Sequence, residues 1–180
     1  VVLQMTYAGA PMVYYGDEVG MWGANDPDDR KPMIWPDIAY EKERALPDGK
    51  LRPEAQVDEV WQDPELHAFY KKMIGIRNAH PALRTGSYKT LLADDADGVF
   101  AYERRLGDEV IWVVLNNSDA ERTVRLPRSG FDEFEDLLNA RTYAGQRPVM
   151  EFDIPGRQAA VLRASVIPLN AAAPEIQARK

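Results

Sequence analysis

The stretch VYYGDEVGMWGANDPDDRKPMIW, residues 13–35, decides the fold. An apolar run, Pro11 to Tyr15, breaks at Gly16 and gives way to acids: Asp17, Glu18, Asp26, Asp28 and Asp29. A run that is apolar at every position has no solvent side. It predicts a strand buried between two layers, as in a parallel sheet. Ahead of it, Val1 to Ala8 reads as the tail of an apolar helix, stopped by Gly9 and Pro11. Behind it, residues 16 to about 63 are irregular and rich in Pro, Gly, Asp and Lys. A connection that long after a strand usually carries function.

The next helix is well signalled. Asp63 suits the N-cap, Pro64 the first helical position, and Glu65 the positive end of the dipole. Leu66, Phe69, Tyr70, Met73 and Ile74 recur at helical spacing and form one apolar face. This face is expected to pack partly on the strand at Pro11–Tyr15 and partly on a β-sandwich in the C-terminal half. Pro81 ends the helix by pushing His80 out of the helical region. His80 is placed to cap the helix carbonyls, and His67 lies beside the apolar stripe.

From about Ala82 the pattern changes to strands. GVFAYERRL and EVIWVVLNN are separated by Gly107-Asp108, a two-residue hairpin turn. Ile111 to Leu115 is apolar on both faces, so that strand should be central. RTVRL, FEDLL, VMEFDI and AAVLRASV come next at short intervals, the pattern of an antiparallel sandwich. The expected division is residues 1–81, 82–168, and a frayed tail at 169–180.

Composition narrows the function classes. The chain has 180 residues, a formal net charge of −7 and no cysteine. A net acidic chain collects no phosphates, which argues against a nucleic-acid partner. No disulfide scaffold or thiolate zinc site is possible, and lack of cysteine fits any compartment. No apolar run reaches membrane-spanning length. The opening, VVLQMTYAGAP, has no Met at its start and reads as the end of a helix, so the sequence is expected to be a fragment.

Strand, long polar loop, helix, then β-sandwich is how an (α/β)8-barrel enzyme ends, and barrel active sites sit on the loops after the strands. The fold class expected is therefore an α+β fragment. It comprises the last strand-loop-helix unit of a barrel and an antiparallel β-sandwich C-terminal domain. Two carboxylates that work as an acid/base pair must face the same bond. Asp17 and Glu18 are neighbours, and a continuing strand would point them to opposite faces. They are read as structural acids at the barrel mouth. DPDDR offers oxygen ligands but lacks the glycine and distal Glu of a calcium loop, and Arg30 intrudes. No metal and no cofactor are expected. The charge-alternating run YEKERALPDGKLRPE reads as a solvated loop. Trp35 and Trp61 read as packing residues.

Three segments in order, GAPMVYYGDEVGMWG, DPDDRKPMIW and FYKKMIGIRNAHPALRTGSY, resemble glycoside hydrolase family 13, the α-amylase family. The resemblance is to its neopullulanase, cyclomaltodextrinase and maltogenic amylase branch. It implies that the first segment is the eighth barrel strand and that the helix leads into an all-β domain. It implies an α-glucan substrate, with Asp26 and Arg30 binding sugar on the glycone side. A carboxylate accepts from sugar hydroxyls and a guanidinium donates in a fixed fork, so the residue types fit. The alternative for this pair is a surface ion pair. Met21 and Trp22 are expected to form an apolar wall against a sugar face. The family's three catalytic carboxylates lie on earlier strands, so no catalytic residue is expected in this chain, and the chain alone should be inactive. Hydrolysis, transglycosylation and isomerisation all fall within the resemblance, as do α-1,4 and α-1,6 linkages. Without the rest of the barrel, the exposed barrel-facing apolar surface is expected to self-associate. The competing reading is a non-catalytic carbohydrate-binding sandwich, which would need Tyr88, Phe100, Tyr102 and Trp112 on an open face.

Overall fold

The structure is a computed structural model. It describes residues 1–23, 26, 29–46, 48, 50–53, 56–128, 130–144 and 148–166. The expected tail at 169–180 lies outside them. The chain forms two compact units: Val1 with Ala10–Gly75, and Val2–Gly9 with Ile76 onward.

The first unit holds the apolar run ahead of Gly16. Pro11–Tyr15 is not a strand: residues 10–14 carry no regular structure and Met12 is 76% exposed. A strand exists only through a neighbour that takes its N–H and C=O groups, and among the described residues no strand pairs with this run. Tyr14 instead closes a turn, its carbonyl accepting from the Asp17 amide at 3.0 Å. Asp17–Val19 is a short 3₁₀ turn flanked by Gly16 (φ 98°) and Gly20 (φ 76°), both left-handed and thus suited to glycine. Asp17 and Glu18 therefore do not alternate across a strand.

The helix α2 spans Pro64–Ala79. Asp63 Oδ1 accepts from the amides of Glu65 and Leu66, both at 2.9 Å, which is the N-cap expected. Asp63→Ala should cost about 0.5–2 kcal/mol, read as a lowered urea midpoint by far-UV circular dichroism; an unchanged midpoint would show that other amide partners suffice. On the stripe, Tyr70 and Met73 are buried and Leu66 and Phe69 half-buried, whereas Ile74 is 40% exposed. The apolar face is thus narrower at its C-terminal end than its spacing implied. His80 is extended (φ −117°, ψ 98°), as the adjoining Pro81 requires.

The second unit begins with α1, Val2–Thr6, and resumes at Ile76 within α2, continuing into α3, Pro81–Thr85. The sequence placed strands from Ala82, and α3 corrects this: Pro81 at a first helical position starts a new turn. His80 caps no carbonyl through its ring. Its Nδ1 lies 2.7 Å from Glu109 Oε1, while Glu109 Oε2 accepts from the Ala82 amide at 2.7 Å. Glu109 thus satisfies a free amide at the start of α3.

Eight strands come after α3: β1 Ser87–Asp94, β2 Val99–Leu106, β3 Glu109–Asn116, β4 Arg122–Pro127, β5 Glu133–Asp136, β6 Arg141–Ala144, β7 Val149–Ile154 and β8 Ala159–Ser165. A six-stranded antiparallel sheet runs β1-β2-β3-β8-β5-β6, and β4 pairs with β7 in a second sheet. Leu106 pairs with Glu109 across Gly107-Asp108, with Gly107 at φ 57°, so the hairpin forms where the sequence puts it. β3 is central, as its apolar run requires. Trp112 and Val114 enter the core between the sheets with Val124, Leu126, Phe134 and Met150. Ile111 and Val113 point the other way and are also fully buried, on the face where α3 packs against β2 and β3. Alternation along β7 is complete: Met150, Phe152 and Ile154 are buried and their neighbours exposed.

Candidate functional site

The loop between Gly16 and α2 carries the residues singled out in the sequence. Its first turn is tied by its own acids. Asp17 Oδ2 accepts from the Tyr14 amide at 3.3 Å and Glu18 Oε2 from the Gly16 amide at 2.9 Å. Both carboxylates thus face backbone donors in a tight turn. They also sit near Tyr70. Burial first, then the charges of Asp17 and Glu18, push the Tyr70 hydroxyl above its ordinary value.

Met21 folds back over Gly16. A Cβ at Gly16 would lie 2.7 Å from Met21 Sδ, so only glycine allows this approach. Beyond it, Trp22 lies under Lys31, whose ammonium is 4.5 Å from the ring centroid. Lys31 also pairs with Glu43. Burial works to raise the Glu43 carboxyl. The Lys31 bond and the Ala45 amide outweigh it and hold the carboxyl below its ordinary value. A glycosidase acid needs the opposite shift.

Asp26 and Arg30 form an ion pair with one another, and Arg30 Nε lies 3.8 Å from Asp29 Oδ1. All three side chains are more than half exposed. The spacing of four residues brings them together, and the exposed guanidinium and carboxylates remain within reach of a ligand. Asp28 lies outside the described residues.

The described residues between 40 and 60 are more ordered than a solvated loop. Glu43 bridges Asp58 and Ala45 bridges Leu51, and Arg52 pairs with Asp58 and Lys42 with Glu59. Two hollows result. The larger, about 530 Å3, is lined by Met21, Trp22, Lys31, Tyr40, Glu43 and Trp61 among others. The smaller, about 160 Å3, lies against Tyr14, Tyr15, Asp17 and Asp29 and shares Met21, Trp22 and Lys31. Met21 and Trp22 thus form a common wall. Trp35 and Trp61 are 53% and 61% exposed, which corrects their reading as packing residues. Tyr40 and Lys31 were not singled out by sequence. The only hint was their place between Trp22 and Trp61, since exposure leaves no local pattern.

The four aromatics required for a binding sandwich do not form an open face. Tyr102 and Trp112 are fully buried, and Phe100 and Tyr88 half-buried.

Comparison with known proteins places both parts of the chain. Residues 1–86 match the alpha amylase catalytic domain, and residues 88–160 the maltogenic amylase C-terminal domain. Neopullulanase 2 of Thermoactinomyces vulgaris is 35% identical over 164 residues, covering 90% of this chain and 24% of that protein. A cyclomaltodextrinase of a Bacillus species is 40% identical over 125 residues, covering 69% of this chain and 18% of that protein. A solved cyclomaltodextrinase superposes with a TM-score of 0.69 at 32% identity, covering 91% of this chain and 24% of that one. The chain therefore spans about a quarter or less of the length of these relatives. It carries the end of a catalytic barrel domain and an antiparallel β C-terminal domain, in that order. Sequence, architecture and relatives agree, and the chain belongs to glycoside hydrolase family 13, the α-amylase family.

Proposed function

We propose that this chain is part of a retaining α-glucan hydrolase of the neopullulanase and cyclomaltodextrinase kind. In this reading it supplies glycone-side contacts to the sugar, and the reacting carboxylates come from elsewhere in the whole protein. Asp26 and Arg30 bind sugar hydroxyls, Met21 and Trp22 wall the site, and Asp17 and Glu18 hold the turn in place. The observation that carries the reading is the exposed Asp26–Arg30 pair in the loop before α2, in a chain of this family. Further support comes from the acids around the hollows. Glu43, Asp58 and Glu59 are each paired with a cation, and Asp63 caps α2. Each is already engaged in holding the loop. The exposed run Met12 to Tyr15 fits a segment that gains its neighbours from other barrel strands. Without them, the chain should self-associate through it.

The test is Arg30→Ala in the whole protein. Each charge-assisted hydrogen bond is worth roughly 1.5–3 kcal/mol, so kcat/KM on maltooligosaccharides should fall by about one to two decades. The melting temperature should hardly move, because exposed ion pairs contribute little. Full efficiency in the variant, on short and long α-glucans alike, would reduce Asp26 and Arg30 to a surface ion pair. Turnover by this chain alone, abolished by Glu18→Gln, would return catalysis to the local acids.

A further inference from the structure

The larger hollow is not needed to explain Asp26 and Arg30, neither of which lines it. Its chemistry is specific. Trp61 lines it, 61% exposed, two residues before Asp63, the α2 cap. Met21, Val19, Ile34 and Val60 provide an apolar wall. The polar lining is dominated by carboxylates, which only accept hydrogen bonds when ionised. Of the five lining carboxylates, four are already engaged, Glu41 being the fifth. Lys31 pairs with Glu43, Arg52 with Asp58 and Lys42 with Glu59, and Asp63 faces the amides of α2. Among the described lining residues no cation is left free for an anion, and Glu41 is the one carboxylate left unengaged. Such a surface suits a neutral ligand with hydroxyl donors at its edge and an apolar face to lay on an indole. The volume, about 530 Å3, is in the range that holds one or two small rings, since ligand sites run from roughly 300 to 1,000 Å3.

We propose that this cleft is a second carbohydrate site, in which a glucose ring of an α-glucan stacks on Trp61 while the cation-paired carboxylates at the rim accept its hydroxyls. The proposal deepens the α-glucan reading given above and rests on it. The site holds a remote part of the glucan, so its role is retention of long substrates and not chemistry.

Affinity electrophoresis of this chain through native gels with and without soluble amylopectin tests it. The chain should be retarded by the polysaccharide, equally in dilute and concentrated NaCl. Trp61→Ala should weaken the apparent affinity by about tenfold or more, equivalent to about 1.4 kcal/mol. Trp61→Phe should retain most of it. Trp35→Ala removes an equally exposed indole outside the cleft and should change nothing. Unaltered thermal melts of the variants would show that folding is not the cause. Retardation that survives Trp61→Ala, that Trp35→Ala abolishes equally, or that collapses in salt would overturn the proposal. So would a wild-type chain that is not retarded. In each of those cases the Arg30→Ala efficiency measurement on the whole protein still judges the glycone reading separately.

Discussion

Replacing Arg104 with Ala is expected to cost about 3–5 kcal/mol of folding stability, because it leaves several buried carbonyl acceptors unmet at roughly 1–3 kcal/mol each. Arg104 is 1% exposed, and its partners around β2 are carbonyls. Nη1 donates to Thr6 O at 2.7 Å and Leu83 O at 3.1 Å, Nη2 to Gly86 O at 3.0 Å, and Nε to Ser87 O at 3.3 Å. Three of these carbonyls lie at the ends of α1 and α3, where helices leave acceptors unfilled. The planar guanidinium answers them together, as a lysine point charge cannot. Burial first, and then the neighbouring Arg77, lower the Arg104 pKa, but a guanidinium stays protonated. Arg77 does the same work nearby, donating to Met5 O at 2.8 Å and Gly9 O at 2.7 Å. Urea denaturation of Arg104→Ala and Arg104→Lys measures the effect, with Lys recovering only part of the loss. A change below about 1 kcal/mol in the Ala variant would mean that water replaces the guanidinium without strain.

Trp112→Ala should be comparably severe, about 3–5 kcal/mol for an aromatic removed from a packed core. The side chain is fully buried in β3. Its ring lies 4.6 Å from that of Phe134, tilted, and 6.1 Å from that of Phe131, edge-on. Its Nε1 donates to Glu103 Oε2 at 3.0 Å. Burial works to raise the Glu103 carboxyl, but the Arg105 and Trp112 hydrogen bonds hold it below its ordinary value. Truncation thus opens a cavity and strips a donor from a half-buried carboxylate. Trp112→Phe separates the two, keeping most of the ring contact and losing the N–H. Denaturant midpoints should rank wild type, Phe, then Ala. An Ala variant as stable as Phe would show that the sheets close over the gap.

Features set by short-range rules were legible in the sequence. Asp63, Pro64 and Pro81 delimit α2 because caps and prolines act on the residues beside them. Gly107-Asp108 marks a hairpin because the turn needs a positive φ. The short runs RTVRL and VMEFDI, set between turn residues, revealed β4 and β7, and the unbroken apolar run made β3 central. The Asp26–Arg30 contact was also within reach, since the partners are four residues apart. Two strands escaped. β1 is a half-exposed edge strand without clean alternation, and β6 is four residues with none buried.

Tertiary structure alone decided the rest. Pro11–Tyr15 has the composition of a buried strand, yet pairing belongs to two segments and the described residues supply no second one. Trp35 and Trp61 are large and apolar, yet a side chain is packed only if distant chain arrives to cover it, and both stand more than half exposed. Nothing local marks Arg104 and Arg77 as buried, because the carbonyls they serve come from α1 and α3 and their flanks. Local stereochemistry acts over a few bonds, whereas desolvation and hydrogen-bond satisfaction depend on which remote segments meet. That is why the sequence carried the element boundaries and the structure alone carried the cleft and the buried arginines.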